Sequence, residues 1–279
     1  MAEQAIPLLV LGGTGRLARG LRAFWPFVLQ AGLRPIWQAR DGRPGYLDWN
    51  ILDAPAPPWA GGVILCLAGG RSDAHLNSAL ALAALTAGAA QGARHVFIAS
   101  SAAVYPAGEH LSEETSPAPV AAYGMAKAAM EAAALDWQSR NGGAPITLLR
   151  IGNVAGADAL LGAARNGPVV LDPTPDGMGP RRSYIGPETL SAVIASLAAM
   201  AIDGAPLPQI LNIATPRPVA MSALLDAAGL AWQFGPHNPA VLPIVGLDTT
   251  RLQALIKVPA RAGEPRNLAD EARRFRERT

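Results

Sequence analysis

The chain has 279 residues, half of them hydrophobic, which suits one large domain or two closely packed domains around a sizeable core. Its 23 basic and 21 acidic residues leave a net charge of +2 and aromatic residues make up only 5%, a balance that argues against nucleic-acid and anionic-membrane partners. The single cysteine excludes an internal disulfide, the four histidines lack metal-ligand spacing and no stretch has the length of a membrane span, so we expect a cytoplasmic protein without a bound metal.

The first predicted strand covers residues 8–11 and runs into the glycine turn Gly12-Gly13-Thr14-Gly15. An apolar run followed by Gly-x-x-Gly-x-x-Ala and a helical pattern up to Gly32 is typical of a parallel strand that turns into a helix at a dinucleotide site. Glycines let the backbone approach a pyrophosphate, and the N–H groups at the start of the helix attract its charge. A tight turn without a ligand is the alternative interpretation.

The second predicted strand, residues 35–38, is followed by Arg40. In dinucleotide folds this strand end carries an acidic residue that binds the ribose hydroxyls or a basic residue that accommodates a 2′-phosphate. Because Arg40 stands near the tip and no carboxylate occupies the tip itself, the sequence favours NADP, with NAD possible. A solvated surface arginine is the alternative. A short third strand, residues 46–48, ends at Asp48.

Two further apolar runs, residues 63–69 and 95–99, are typical of strands covered on both faces, and an almost entirely apolar helix is predicted between them over residues 75–91. Cys66 in the first run is interpreted as a packed small hydrophobe. The second run ends in Ser100 and Ser101, and hydroxyl residues at the end of a parallel strand stand at the ligand crevice.

Tyr123 and Lys127 open the next predicted helix, which extends to about residue 141. Residues four apart share one helical face, so the two side chains can project side by side. A nearby ammonium favours the phenolate and brings the pKa of the tyrosine down toward neutral pH, where it can act as an acid or base. Coincidence on a solvated helix is the alternative for any single Tyr-x-x-x-Lys.

Strands that alternate with helices up to a sixth strand at residues 145–150 predict an α/β fold with a doubly wound parallel Rossmann sheet and a small C-terminal substrate-binding lobe. We expect an NAD(P)-binding domain over residues 1–155 and the lobe over residues 156–279, with residues 187–215 packing back on the Rossmann sheet. The interval 166–180 is predicted to be a loop. The last segment is predicted to be a helix docked by Leu268, Ala272 and Phe275, with an anion-binding tail as the alternative.

Five motifs together resemble, in order and spacing, the extended short-chain dehydrogenase/reductases, and more narrowly the NAD(P)-dependent epimerase/dehydratase family. The resemblance continues more faintly to Asp248-Thr249-Thr250-Arg251-Leu252. The motifs are Gly12-Gly13-Thr14-Gly15-Arg16-Leu17-Ala18, Val63-Ile64-Leu65-Cys66-Leu67-Ala68-Gly69, Ser100-Ser101-Ala102-Ala103-Val104-Tyr105, Tyr123-Gly124-Met125-Ala126-Lys127 and Leu149-Arg150-Ile151-Gly152-Asn153.

The resemblance implies roles for individual residues. Tyr123 would be the catalytic acid or base, Lys127 would lower its pKa and hold the nicotinamide ribose, and Ser101 would hydrogen-bond the reacting oxygen. Asp48 would face the adenine. Asn153 and Arg182 occupy positions that often touch the substrate in nucleotide-sugar enzymes, with a capping amide and a surface arginine as the alternatives. The full set expected to bind the cofactor is Gly12, Gly13, Thr14, Gly15, Arg16, Leu17, Ala18, Arg40, Asp48, Leu67, Ala68, Gly69, Tyr123 and Lys127.

The chain also departs from the family pattern. Ala102 and Ala103 follow Ser101 where the sugar dehydratases carry an Asp-Glu pair to expel water, so dehydration is disfavoured. Four other positions differ without removing the catalytic set: Leu11 replaces the usual threonine, Cys66 a histidine, Pro106 a glycine and Ala126 a serine.

The expected function is an NAD(P)-dependent oxidoreductase or epimerase that transfers hydride at a carbinol or carbonyl carbon of a small molecule, a sugar or nucleotide-sugar-like substrate. A non-catalytic dinucleotide-binding sensor or scaffold is the alternative. The nearly all-apolar helices at residues 75–91 and 121–137 predict a homodimer formed by pairing them across a two-fold axis, as is common in the family.

Overall fold

The protein is described by a computed structural model covering residues 5–28, 32–53, 55–59, 61–70, 73–163 and 167–279. Its strands are β1 (Ile6–Leu11), β2 (Leu33–Ala39), β3 (Leu47–Asp48), β4 (Val63–Cys66), β5 (His95–Ser101), β6 (Gly108–Leu111), β7 (Ile146–Ile151), β8 (Asn153–Val154), β9 (Val169–Leu171), β10 (Arg181–Arg182), β11 (Tyr184–Ile185), β12 (Ile210–Ile213), β13 (Val219–Ala220), β14 (Trp232–Phe234) and β15 (Ile244–Leu247). Its α-helices are α1 (Arg16–Phe24), α2 (Ala74–Ala90), α3 (Ala122–Asn141), α4 (Pro187–Ile202), α5 (Met221–Ala227), α6 (Thr250–Leu255) and α7 (Pro265–Arg278).

The predicted doubly wound parallel sheet is confirmed. Seven strands pair in the order β12-β7-β5-β4-β1-β2-β3, and every pair in this sheet is parallel. The chain runs outward from β1 through β2 to β3 and then crosses to β4 on the other side of β1. This reversal opens a crevice beyond the carboxyl ends of β1 and β4, which is where open α/β sheets bind their ligands.

The central strands are apolar because both of their faces are covered. Leu8 and Val10 of β1 point to the side of α1 and α4, whereas Leu9 and Leu11 point to the side of α2 and α3. The alternation follows from the two-residue period of a strand. Cys66 packs in the second of these cores, and burial raises the pKa of its thiol to about 11, in agreement with its interpretation as a small hydrophobe.

The C-terminal half contributes both to this sheet and to a smaller lobe. β12 pairs with β7 at the edge of the large sheet, and α4 packs beside α1 on one of its faces. β13, β10, β15 and β6 form a second sheet, and β8–β11 and β9–β14 form two-stranded pairs. β6 and β8 follow β5 and β7 closely along the chain, so the lobe stands over the carboxyl edge of the large sheet. The division of the chain at residue 155 stays a prediction.

Two local expectations need correction. The helical pattern predicts a first helix up to Gly32, but α1 ends at Phe24 and passes into a 3-10 turn at Trp25–Phe27, because Pro26 cannot supply the backbone N–H that an α-helix needs. The interval 166–180 contains β9, whose partner β14 lies some 60 residues away along the chain and is invisible to local composition. Asn166 lies outside the described residues.

The terminal helix docks as predicted, since Leu268, Ala272 and Phe275 are all buried. The structure adds Glu271, whose Oε2 accepts hydrogen bonds from the backbone N–H groups of Glu188 at 2.8 Å and Thr189 at 3.0 Å. These N–H groups belong to the first turn of α4, so a side chain of α7 caps α4 in place of a local residue. Within the described ranges, no helix has the length and apolar character needed to cross a bilayer.

We expect the free energy of unfolding to decrease at acidic pH, because His95 is buried in the folded protein. Its Nε2 lies 2.9 Å from Thr147 Oγ1, whose hydroxyl donates to the Pro208 carbonyl at 2.8 Å, so Nε2 carries a proton and donates to Thr147. Burial lowers the pKa of His95 to about 4, below the value of about 6.5 in an unfolded chain. The unfolded state therefore binds the proton first. The contribution, on the order of 3 kcal/mol, is complete above pH 6.5 and is lost as the pH falls toward 4.

Urea unfolding between pH 8 and pH 4 measures this effect. His95→Gln, which keeps an N–H donor but does not titrate, is expected to lose less stability than the parent between pH 6.5 and pH 4. The matched control is His75→Gln on the exposed surface of α2, which should follow the parent. Parallel profiles for the His95 variant and the parent would contradict the assignment.

Candidate active site

The glycine turn lies wedged between two strands of the sheet. Gly12 has a φ of +75°, and a Cβ there would lie 2.7 Å from the Ala68 backbone that follows β4. A Cβ on Gly13 would lie 2.7 Å from the carbonyl oxygen of Gln38 at the end of β2. Side chains at these positions would push the turn out of the crevice, so close approach requires glycine at both, and the positive φ of Gly12 favours glycine there as well.

The helix that follows the turn has a bare N-terminus. Gly15 provides no side-chain cap, and no acidic residue occupies the first turn of α1. The first N–H groups of a helix have no partner within it, and here they face the crevice beside the glycine turn. An uncapped helix N-terminus of this kind fits the pyrophosphate of a dinucleotide.

Two buried amides hold the crevice walls, and neither was found from the sequence. Gln38 accepts a hydrogen bond from the N–H of Gly12 at 2.8 Å and donates to the Trp49 carbonyl, which joins the glycine turn to the segment after β3. Asn77 accepts from the N–H of Gly70 at 2.9 Å and donates to the Gly70 carbonyl at 3.0 Å. A polar residue at the end of an apolar strand was the only sequence signal for Gln38.

The cleft between these walls has a volume of about 210 Å³. Arg40 lines it, as expected of a residue that contacts a cofactor. Asp48, predicted to face the adenine, is not among the lining residues, because its side chain is exposed and accepts a hydrogen bond from the N–H of Gly42 at 3.3 Å. The lining residues are Gly12, Thr14, Gly15, Gln38, Ala39, Arg40, Asn50, Ile51, Leu52, Leu67, Ala68, Gly69, Leu76 and Leu80.

Ser101 and Tyr123 meet between two further cavities. The Ser101 side chain lies close enough to the Tyr123 hydroxyl to lower its pKa, and Tyr123 keeps 38% of its surface exposed. One cavity, of about 230 Å³, lies on the side of α1 and includes Leu17 in its wall. The other, of about 250 Å³, lies on the side of the lobe and is lined by Arg182. Ser101, Tyr123 and Asn153 belong to the walls of both cavities.

Lys127 follows Tyr123 by four residues on α3 and lies beneath this pair. Its ammonium is buried and donates to the Ala99 carbonyl of β5 at 2.8 Å. Burial lowers the pKa of Lys127, and the nearby Glu131 carboxylate opposes that shift. Burial raises the pKa of Tyr123, and the nearby Ser101 hydroxyl lowers it. The expected depression of the tyrosine pKa by Lys127 stays a prediction.

Asn153 and Arg182 both line the cavity on the lobe side, so the structure brings them together with Ser101 and Tyr123, and their contact with a substrate stays a prediction. Arg182 donates to the carbonyl of Arg181 at 2.7 Å, and burial lowers the pKa of its guanidinium. The remaining wall includes the apolar side chains of Val120, Leu242 and Val245. A cationic group at the side of an apolar cavity suits a small anionic or hydroxylated molecule.

A buried polar network missed by sequence reasoning supports the site from below. Arg150 of β7 donates to Glu131 of α3 through Nη2 at 2.7 Å and Nε at 3.1 Å, and to the Tyr105 hydroxyl at 2.8 Å. The Ser100 hydroxyl, next to Ser101, donates to Glu131 as well. Burial lowers the pKa of Arg150, but its hydrogen bonds with Glu131 outweigh that effect and leave it raised. The network ties α3, which carries Tyr123 and Lys127, to the strands below.

Residues 61–167 match the NAD dependent epimerase/dehydratase family. A comparison with curated protein sequences finds no match.

Solved structures of similar fold extend along nearly the whole chain. MoeE5 in complex with UDP-glucose and NAD has 20% identity and a TM-score of 0.73, covering 97% of this chain and 99% of that one. The UDP-glucose 4-epimerase of Thermus thermophilus in complex with NAD has 22% identity and a TM-score of 0.68, with coverages of 96% and 99%. The UDP-Glc/GlcNAc 4-epimerase of Campylobacter jejuni has 14% identity and a TM-score of 0.75, with coverages of 99% and 100%.

The resemblance found in the sequence is therefore confirmed. Residues 61–167 match the NAD dependent epimerase/dehydratase family, and the chain as a whole shares its fold with the solved structures named above.

Proposed function

We propose that the protein is an NAD(P)-dependent oxidoreductase or epimerase that transfers hydride at a carbinol or carbonyl carbon of a sugar or nucleotide-sugar-like substrate. The observation that carries this proposal is the placement of Ser101 and Tyr123 side by side in the walls of two cavities. One cavity opens toward the bare N-terminus of α1, and the other toward Arg182. The cofactor can therefore bind in one cavity and the substrate in the other, with the proton-transferring hydroxyl of Tyr123 between them.

Each residue of the set has a distinct task. When bound, the nicotinamide supplies or takes the hydride. Tyr123 gives a proton to the substrate oxygen or removes one, and Ser101 hydrogen-bonds the same oxygen. The ammonium of Lys127 lies near the loop that follows β4, since a Cβ on Gly69 would be 3.5 Å from it. From this position Lys127 would hold the ribose next to the nicotinamide. Arg182 and Asn153 would orient the substrate.

Dehydration is a weaker candidate than hydride transfer to or from a hydroxyl. One structure of similar fold is described as an NAD dependent NDP-hexosamine 5,6-dehydratase, so the fold itself admits that reaction. Expelling water from a sugar needs an acid beside the site, and Ser101 is followed here by Ala102 and Ala103.

Absorbance of the nicotinamide at its reduced band, followed while UDP-sugars and simpler sugars are added, tests the proposal. Loss of reduced cofactor in equal amount to product indicates a reductase, and formation of reduced cofactor in equal amount to product indicates a dehydrogenase. Interconversion of sugars without net cofactor change indicates an epimerase. Tight binding of the dinucleotide with no turnover on a broad panel of sugars and carbonyl compounds would favour the second candidate, a sensor or scaffold.

A preference for NADP over NAD would have to come from Arg40. Arg40 lines the cleft at the end of β2. The neighbouring Asp41 carboxylate pairs with Arg43 and does not line the cleft. We expect Arg40→Ala to weaken NADPH binding about tenfold or more and to change NADH binding little, because one charged hydrogen bond to a 2′-phosphate is lost. Fluorescence titration with both cofactors measures the ratio.

The matched control for this prediction is Arg34→Ala, since Arg34 is an exposed arginine at the opposite end of the same strand. It should leave both dissociation constants as they are in the parent. MoeE5 and the Thermus enzyme are described in complex with NAD, so a parent protein that binds NADH as tightly as NADPH would reject the preference while keeping the dinucleotide.

The proposal also includes a homodimeric assembly and a location in the cytoplasm. α2 and α3 pack side by side on one face of the sheet, and Met125 on α3 is 54% exposed. Small and apolar residues on the outer surface of this pair support a homodimer built from α2 and α3 across a two-fold axis. Sedimentation at micromolar concentration tests it, and a monomer would count against it. A single buried cysteine is consistent with a reducing compartment such as the cytoplasm.

A further inference from the structure

The second sheet presents one of two neighbouring arginines to the cavity on the lobe side. Arg182 of β10 lies in register beside Val245 of β15, and both residues line that cavity. Adjacent residues of a strand point to opposite faces of its sheet. Arg181 accordingly lies on the other face, where Glu109 and Asp176 are each 4.0 Å from its guanidinium. The two arginines therefore differ in their surroundings although they are adjacent in sequence.

The cation that faces the cavity is not neutralised by the fold. Arg182 is half-buried and its Nη1 donates to the Arg181 carbonyl, but no carboxylate within the described ranges forms an ion pair with it. Burial lowers its pKa, and Tyr184 and Asp172 oppose that shift without pairing with the guanidinium. Asp172 instead accepts a hydrogen bond from the Asn238 amide at 3.2 Å. Charges that leave water are normally paired, so an unpaired cation in a cavity wall points to an anionic group on the ligand.

The remaining wall limits what else the ligand can carry. The cavity volume of about 250 Å³ is below the value of about 300 Å³ at which pockets for drug-sized ligands begin. Arg182 is the one charged residue among the described residues that line it, and one guanidinium matches one carboxylate or phosphate group. A nucleoside diphosphate brings a second negative charge, a second sugar and a base. A single sugar ring or a short hydroxy acid with one anionic group fits both limits.

We propose that the substrate is a small hydroxylated molecule with one anionic group and no nucleoside, and that Arg182 binds this group. The hydroxyl or carbonyl to be converted then lies at Tyr123, which belongs to the same wall. The forked donors of a guanidinium suit a carboxylate or a phosphate monoester, so Arg182 determines specificity for such a group. This inference rests on the proposed function and narrows its substrate class. MoeE5, by contrast, is described in complex with UDP-glucose.

A matched set of sugars tests the proposal by binding. Glucose, glucuronate, glucose 6-phosphate and UDP-glucose share one ring and differ in the anionic group and the nucleoside. Calorimetric titration of the protein, saturated with whichever reduced nicotinamide cofactor it binds more tightly, gives a dissociation constant for each. We expect glucuronate or glucose 6-phosphate to bind about tenfold or more tightly than glucose, as a hydrogen bond between charged groups does. The tighter of the two identifies the anionic group, and UDP-glucose should bind no more tightly than glucose.

Substitutions at the two neighbouring arginines assign the preference to one side chain. Arg182→Gln should bind the anionic sugar and glucose nearly equally, with the loss falling on the anionic sugar. Arg182→Lys keeps the charge without the fork and should recover part of the preference. The matched control is Arg181→Gln, on the opposite face of the same strand, which should keep the full preference of the parent.

Urea unfolding provides a measurement that needs no ligand. Arg182→Met removes the charge and keeps the apolar stem, so it should unfold at the same urea concentration as the parent or at a higher one, because an unpaired cation costs free energy. A lower midpoint would show that the guanidinium already has a partner within the fold, and would overturn the inference.

The outcomes separate this inference from the proposed function. Equal binding of the anionic and neutral sugars, or UDP-glucose bound more tightly than every smaller sugar, would overturn the inference and leave the proposed function in place. Preference for the anionic sugar without hydride transfer on any substrate would reject the proposed function alone. If none of these sugars binds, the sugar-like substrate is rejected in both.

Discussion

Tyr123→Phe is expected to reduce the rate of hydride transfer by about 100- to 10,000-fold while dinucleotide binding remains within about threefold of the parent. The phenol lies in the walls of both cavities beside Ser101. Phenylalanine keeps the ring in place and removes only the hydroxyl. Single-turnover absorbance of the bound nicotinamide separates the chemical step from cofactor binding.

Tyr46→Phe is the matched control, because the Tyr46 ring stacks under Arg22 at 4.4 Å on another part of the surface, away from both cavities. Its activity should equal that of the parent. A Tyr123→Phe protein with parental activity would remove the catalytic assignment altogether.

The raised pKa of Tyr123 also predicts how the rate depends on pH. Burial keeps the phenol protonated at neutral pH in the free protein. The protonated form is the acid that a carbonyl reduction needs, whereas oxidation of a hydroxyl needs the phenolate. Oxidation should therefore accelerate as the pH rises from 7 toward 10, and reduction should not. The same upward slope in both directions would mean that another group titrates.

Local patterns in the sequence were sufficient for the sheet and for the members of the site. The glycine turn, the serine at the end of β5 and the Tyr-x-x-x-Lys spacing each follow from rules that act within one element, and the structure brings Ser101 and Tyr123 together. The hydrogen-bond partner of each side chain in the folded protein was not predictable in the same way. Lys127 donates to the carbonyl of Ala99, and Asp48 accepts from the N–H of Gly42, because these backbone groups lie nearer to them than their predicted partners.

The supporting polar residues were harder still to find. Glu131 looks like an ordinary charged residue in an alanine-rich helix, and Arg150 like the end of an apolar strand. Their partnership depends on α3 lying against β7, which is a property of the assembled sheet and helices.

Arg150→Met is expected to be the most destabilising single change considered, at about 3–5 kcal/mol in urea unfolding. Arg150 is only 2% exposed and Glu131 only 3%, so methionine would leave the carboxylate of Glu131 buried without its cation, and the Tyr105 hydroxyl without its donor. The cost arises from the stranded charge more than from the strength of the ion pair. The double variant Arg150→Met with Glu131→Leu should therefore be more stable than Arg150→Met alone.

A surface pair provides the control for this prediction. Arg140 and Asp136 form an ion pair one turn apart on the same helix as Glu131, with an N–O distance of 2.9 Å, but their side chains are 74% and 54% exposed. Arg140→Met should cost less than about 1 kcal/mol, because water solvates the carboxylate that remains. Equal losses for Arg150→Met and Arg140→Met would show that the buried carboxylate is relieved in another way. A large loss of unfolding free energy in Arg150→Met alone, recovered in the double variant, would show that burial of the Glu131 carboxylate makes this ion pair necessary for holding α3 against the sheet.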